Sequence, residues 1–171
     1  MVVFYITLTE PVCNVFFKLL FLRKEKKMNE TIGIIVPVDF LKNADKLVDY
    51  SIKMAEKLLV SIHFIHVVTK LVGAPFAAEY EGRMLSDAQE RMANLLKDNS
   101  ERCPSCTGEV VLGEPVDKII EIAQEKQADL IIISTHGAKG LEKILLGSVA
   151  ERVLKQAHCP VLIMNPYKKY E

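Results

Sequence analysis

Two short stretches of this chain hold residue types suited to contacting a ligand, the first of them an anionic one. The first is Ser134-Thr-His-Gly137, followed after nine residues by Gly147-Ser148. Glycine lets a backbone approach an anion closely, and the free N–H groups at a helix start point out toward it. Leu130 to Ile133 precedes the loop as an unbroken apolar run, the pattern of a strand buried on both faces of a parallel sheet. Helical spacing resumes after the loop, and Ser148-Val-Ala-Glu151 reads as a capping box. Strand, glycine-bearing loop and helix start together form the arrangement that receives a phosphate group. The second stretch ends at Asp39, just beyond the apolar, β-branched run Ile32 to Val38.

Each of these residues also has a plainer use. Asp39 suits a turn, and Ser148 suits a helix cap. Lys139 and Lys143 would neutralise phosphate or simply face solvent, and His136 has no nucleophile to pair with. His63 and His66 stand three apart in a strand, so they point to opposite faces and do not converge on one metal; both are expected to be packed and hydrogen-bonded. Cys103-Pro-Ser-Cys106 is half a zinc site at most, with no further ligands nearby, or a redox pair; a helix-to-strand turn away from any ligand is the preferred reading. No Walker loop, Gly-x-Gly-x-x-Gly fingerprint or Gly-x-Ser-x-Gly elbow is present, and no carboxylate pair or Ser/His/Asp spacing marks a catalytic centre.

The elements that position these residues alternate. Ile32 to Val38 is the first strand, and Pro37, which cannot donate to a ladder, suits its end. A helix follows from Ala44 to Leu58, with Asn43 as its expected cap. Val60 to Val68 is the second strand, and residues 69–78 form a loop. A long helix covers about 79–100. Thr107 to Leu112 is a third strand, less apolar than the others, which suits a sheet edge. A helix opens at Pro115, the Asp129 to Ile133 strand follows, then a helix over 149–157 and a last strand from Cys159 to Met164. Five strands alternating with four helices predict one doubly wound, mostly parallel α/β sheet with helices on both faces.

Bulk composition narrows the function. The 171 residues suit one domain, and half are hydrophobic, enough for a large core. Lys plus Arg and Asp plus Glu each number 22, which argues against a broad nucleic-acid footprint. With no Trp there is little material for base stacking. Four scattered cysteines fit a reducing cytoplasm better than a disulfide framework. Residues 1–27 differ from the rest. Val2 to Leu22 is apolar but interrupted by Glu10, Pro11 and Lys18, and Arg-Lys-Glu-Lys-Lys follows it. That is poor for a membrane span and in the wrong order for a secretory signal. The expectation is an extension outside the fold, with Met28 as the working start and 28–171 as the domain; a weak membrane-surface anchor is the alternative.

From Ile32 to Met164 the chain resembles the universal stress proteins. Val36-Pro-Val-Asp39, His66-Val67-Val68, Gly113-Glu-Pro115, the Ser134 to Ser148 stretch and Cys159-Pro-Val-Leu-Ile163 carry the likeness. The nucleotide-binding branch has a loop of the form Gly-x-x-Gly, nine residues, Gly-Ser/Thr. Gly137, Gly147 and Ser148 match it, and Ser134 replaces the first glycine. Phe40-Leu41 stands where relatives often carry a serine. The resemblance implies a sheet of order 3-2-1-4-5 and a nucleotide at its switch point. Pro37 and Asp39 would face the ribose-adenine end, and Val67 would offer backbone groups to adenine. Ser134, Gly137, Gly147, Ser148 and Val149 would line the phosphates. Mg²⁺ is expected to bind with ATP, because few lysines are placed to neutralise the phosphates, and no side chain is expected to ligate it. The resemblance also implies a homodimer through the Cys159 to Met164 strand. The expected function is an ATP-binding stress-response module with slow or no hydrolysis, acting on a protein partner. Two alternatives stand beside it: a dimeric interaction module that binds no nucleotide, and an ATP-cleaving enzyme on a related α/β fold.

Overall fold

The computed structural model describes residues 33–41, 43–71, 73, 75–135 and 146–167. The 1–27 extension, Met28, His136, Gly137, Lys139 and Lys143 lie outside the described residues. The strands are β1 (Gly33–Pro37), β2 (Ser61–Thr69), β3 (Thr107–Gly113), β4 (Leu130–Ser134) and β5 (Val161–Met164). The helices are α1 (Ala44–Leu58), α2 (Ala77–Asp98), α3 (Pro115–Glu125) and α4 (Ser148–Gln156). All neighbouring strands pair in parallel, in the order β3-β2-β1-β4-β5. The doubly wound sheet expected from the alternation is therefore the observed one.

Alternation along the central strands splits the core into two layers. Ile34, Val36, Leu130 and Ile132 pack with residues of α1 and α2. Ile35, Ile131 and Ile133 pack with residues of α3 and α4. The chain winds outward through β2 and β3, then returns across β1 to β4 and β5. Right-handed crossovers running in opposite directions along a sheet place their helices on opposite faces. Each fully buried aliphatic side chain contributes roughly 1.5–3 kcal/mol of transfer free energy, so the apolar β1 and β4 runs anchor both layers at once. By contrast β3, with one strand neighbour, is only half-buried along its length. Its mixed polarity is that of an edge.

Helix starts depart from the sequence expectation in two places. Asn43 occupies the cap position of α1, but its side chain makes no capping bond. Backbone bonds from Ala44 N–H to the Leu41 carbonyl and from Lys46 N–H to the Asn43 carbonyl do that work. At α4 the capping box is absent: Gly147 is the cap, Ser148 is the first helical residue, and no side-chain cap bond forms. Glu151 instead pairs with Lys155 one turn on. Pro115 does open α3 as its first helical residue. Cys103 and Cys106 sit in the turn between α2 and β3, as expected, and are joined as a disulfide. That is a local clip across three residues rather than a framework linking distant elements.

Candidate functional site

The end of β1 is built around a tight turn. Pro37 is the last ladder residue, paired with Ile65 of β2. Val38 extends the pairing by one bond, its N–H reaching the Ile65 carbonyl at 2.8 Å. Asp39 follows, exposed, and its Oδ1 accepts the Leu41 N–H at 3.0 Å. This is an aspartate turn, and it carries Phe40 into the left-handed region at φ 55°. The turn role and a ligand role are compatible, because one carboxylate oxygen closes the turn and the other makes no hydrogen bond among the described residues.

Beside that turn, β2 runs on to Thr69. The Ile65 carbonyl faces β1. Successive residues of a parallel strand alternate the side to which their N–H and C=O point. The backbone groups of Val67 therefore face the same side as those of Ile65, beyond the point where β1 has turned away. Its side chain packs in the layer under α3 and α4. Val67 thus presents a backbone donor and acceptor next to the Asp39 turn.

β4 lies on the other side of β1 and ends at Ser134, paired with Met164. Thr135 continues this pairing through its N–H to the Met164 carbonyl, at 2.8 Å. The Thr135 carbonyl in turn accepts the Gly147 N–H at 2.7 Å. This bond brings the two ends of the loop together and fixes where α4 begins. A side chain at 147 would meet the Thr135 carbonyl oxygen at 2.9 Å, so glycine is required by backbone contact. Gly147 itself is extended, with φ −63° and ψ 148°. Ser148 is exposed at the first helical position, and Val149 is partly buried against the α3–α4 layer. The first N–H groups of a helix have no intrahelical acceptors and carry partial positive charge, so the α4 start favours an anion.

The structure therefore brings the Asp39 turn, the Val67 backbone, Ser134 and the Gly147-Ser148 helix start to the C-terminal ends of β1, β2 and β4. Strand order reverses there, which is where open α/β sheets form ligand crevices. Pro37 is part of the β1–β2 ladder rather than of the loop beyond it.

Two side chains stabilise the turn: His66, expected to be hydrogen-bonded but with its partners unforeseen, and Arg91, which the sequence did not single out. His66 Nδ1 lies 2.7 Å from the Val38 carbonyl, and its ring stands 4.8 Å from that of Phe40, tilted by 38°. Arg91 of α2 reaches the Phe40 carbonyl at 3.4 Å. Spacing along the chain gives no sign of either contact, since each links residues far apart in sequence. His63 lies on the opposite face, as expected, between Thr107 Oγ1 and Glu109 Oε1, each at 2.7 Å. Burial holds its imidazole below the ordinary value despite the Glu109 carboxylate, and Lys126 adds to the shift. Among the described residues no group of three His, Cys, Asp or Glu side chains is placed to hold a metal. No helix among them is long and apolar enough to cross a membrane.

Comparison with known proteins agrees with this geometry. The model of the universal stress protein family matches residues 33–165. Universal stress protein MJ0531 of Methanocaldococcus jannaschii is 36% identical over 141 residues, covering 80% of this chain and 83% of that protein. The solved structure of MJ0577, a second universal stress protein of the same organism, superposes with a TM-score of 0.70 at 27% identity, over 81% of this chain and 97% of that one. A universal stress protein of Archaeoglobus fulgidus, solved in complex with dAMP, shares the fold with a TM-score of 0.55 at 23% identity, over 77% of this chain and 96% of that one. A family match across the whole described sheet, joined to the same strand order, shows that this chain belongs to the universal stress protein family.

Proposed function

We propose that this chain is a dimeric, cytoplasmic module that binds ATP and passes its nucleotide state to a protein partner in a stress response. The observation that carries this reading is the convergence at the switch point. Asp39 offers a carboxylate oxygen, Val67 offers a backbone donor and acceptor, and the α4 start offers free N–H groups behind Gly147 and Ser148. A ribose hydroxyl suits the carboxylate, an adenine edge suits the backbone donor and acceptor, and a phosphate chain suits the free N–H groups. The dAMP complex of the Archaeoglobus fulgidus protein is in line with an adenine nucleotide as the ligand class. Mg²⁺ would bind with ATP, neutralising charge on the phosphate oxygens. Hydrolysis, if any, is slow: a fast ATPase needs a positioned water and a charge clamp on the transferring phosphoryl group, and no residue described here fills either role.

A second reading is favoured by one specific contact. Gly147 is explained by the Thr135 carbonyl alone, and Ser134 stands where nucleotide-binding relatives have glycine. On that reading the crevice is empty in function and the domain is a dimeric interaction module. Mass spectrometry of the purified protein after denaturation separates the two. Release of an adenine nucleotide supports the first reading. A protein that releases none, and takes none up when incubated with ATP and Mg²⁺, supports the second.

A further inference from the structure

We infer that His66 is a positioning residue for Asp39, gripping the chain on both sides of that aspartate; the inference rests on the reading of Asp39 as a nucleotide contact. On one side, the Nδ1–H of His66 donates to the Val38 carbonyl at 2.7 Å. On the other, its ring packs on the ring of Phe40 at 4.8 Å. Val38 and Phe40 are the immediate neighbours of Asp39, so its backbone is fixed from both ends. The grip is needed because, among the described residues, no ladder bond of β1 follows Val38, and because Phe40 sits at φ 55°, a costly conformation for a bulky residue. Arg91 adds a third hold at the Phe40 carbonyl. A carbonyl accepts only from a protonated nitrogen, so the Val38 bond places the hydrogen on Nδ1. His66 belongs to β2, and β2 also presents Val67. One strand therefore sets both the aspartate and the backbone groups beside it.

The test uses the full chain and two readouts. The first needs no nucleotide: amide hydrogen exchange of Leu41, whose N–H is held by Asp39 Oδ1. His66→Ala should speed that exchange several-fold while leaving the Ile62 and Phe64 amides unchanged. His66→Asn places an amide nitrogen near the Nδ1 position and should restore most of the protection. The second readout is calorimetric titration with ATP and Mg²⁺. His66→Ala should weaken binding by about tenfold, the scale of one lost hydrogen bond. In an Asp39→Ala background the same change should cost less than about twofold, because residues acting as one unit are not additive. Unchanged Leu41 exchange in folded His66→Ala overturns the grip. A full tenfold loss in the Asp39→Ala background also overturns it, since His66 would then act without the aspartate. If the unmutated chain binds no ATP, the nucleotide reading fails on its own, and Leu41 exchange still decides whether His66 positions Asp39. Should His66→Ala fail to fold, Phe40→Ala removes the ring contact alone and should raise Leu41 exchange in the same direction; no rise overturns the proposal.

Discussion

Gly147 holds its N–H 2.7 Å from the Thr135 carbonyl oxygen, and a methyl group on its α-carbon would stand 2.9 Å from that same oxygen. The bond and the close approach come as a pair: the chain re-enters α4 in hydrogen-bond contact with the end of β4. Gly147→Ala must push two backbone segments apart, a strain on the scale of overpacking, about 1–3 kcal/mol. Thermal unfolding should show a melting temperature several degrees lower. An unchanged melting temperature would mean that the α4 start shifts freely and that its position is not set by Thr135.

The His63 site makes stability depend on pH. Burial holds the folded-state imidazole below its unfolded value, against the pull of Glu109. The folded state therefore resists protonation. Its contribution is complete above the unfolded value, about 6.5, and is lost as pH falls through the lower folded value. His63→Gln removes the titration, so its melting temperature should fall less steeply than that of the unmutated chain between pH 7 and pH 5. Parallel curves would show that His63 is protonated as easily in the fold as outside it.

The cysteines should behave as two classes. Burial, with Asp129 adding to it, pushes the Cys159 thiol up to about 11, so it is a poor nucleophile at neutral pH. Peptide mapping after brief alkylation at pH 8 should leave Cys159 largely unmodified, and should label Cys103 and Cys106 only after reduction. The Cys103–Cys106 clip precedes β3, at the end of the sheet opposite the crevice. Replacing both by serine should cost roughly 2 kcal/mol of stability, from the small loop it closes. It should leave ATP affinity within about twofold, since sites this far apart act independently. A loss of ten-fold or more would tie the clip to the site.

Self-association should run through β5. Among the described residues this strand pairs only with β4, and Val161, Leu162, Ile163 and Met164 are apolar throughout. An apolar edge strand is a template for a second copy, and a two-fold axis makes such pairing antiparallel. Light scattering at micromolar concentration should give a dimer. Leu162→Pro removes a backbone donor and should shift it to monomer while circular dichroism stays that of a folded chain. A dimer that survives in folded Leu162→Pro places the interface elsewhere.

The fold was legible because its strongest signals are local. Leu130 to Ile133 reads as a strand buried on both faces, and the mixed polarity of Thr107 to Leu112 suits a sheet edge. The turn beyond β1 was half legible: Asp39 marked it, but Phe40 looked uninformative, and nothing local announces its left-handed backbone. His66 was expected to be hydrogen-bonded, yet its partners lie 28 residues away at Val38 and beside it at Phe40, a tertiary fact that no period reveals. At α4 the Ser-x-x-Glu pattern pointed to a capping box. Contact with Thr135 instead puts Gly147 at the cap, and Glu151 finds Lys155. Long-range backbone contact overrode a local preference there, and the same contact shows that a glycine in a phosphate-loop pattern can have a purely structural reason.

The central claim is that the switch point binds ATP, and calorimetric titration of the unmutated chain with ATP and Mg²⁺ tests it most directly, with two variants to locate the site. The account predicts saturable binding. Asp39→Ala should weaken it about ten- to a hundred-fold, the loss of one charge-assisted hydrogen bond. Ser134→Gly should leave it equal or tighter, because it removes a side chain where the backbone would pass near the ligand. No binding at millimolar ATP by the unmutated chain, with binding appearing in Ser134→Gly, would contradict the account and make this a member of the family that has kept the fold and given up the nucleotide.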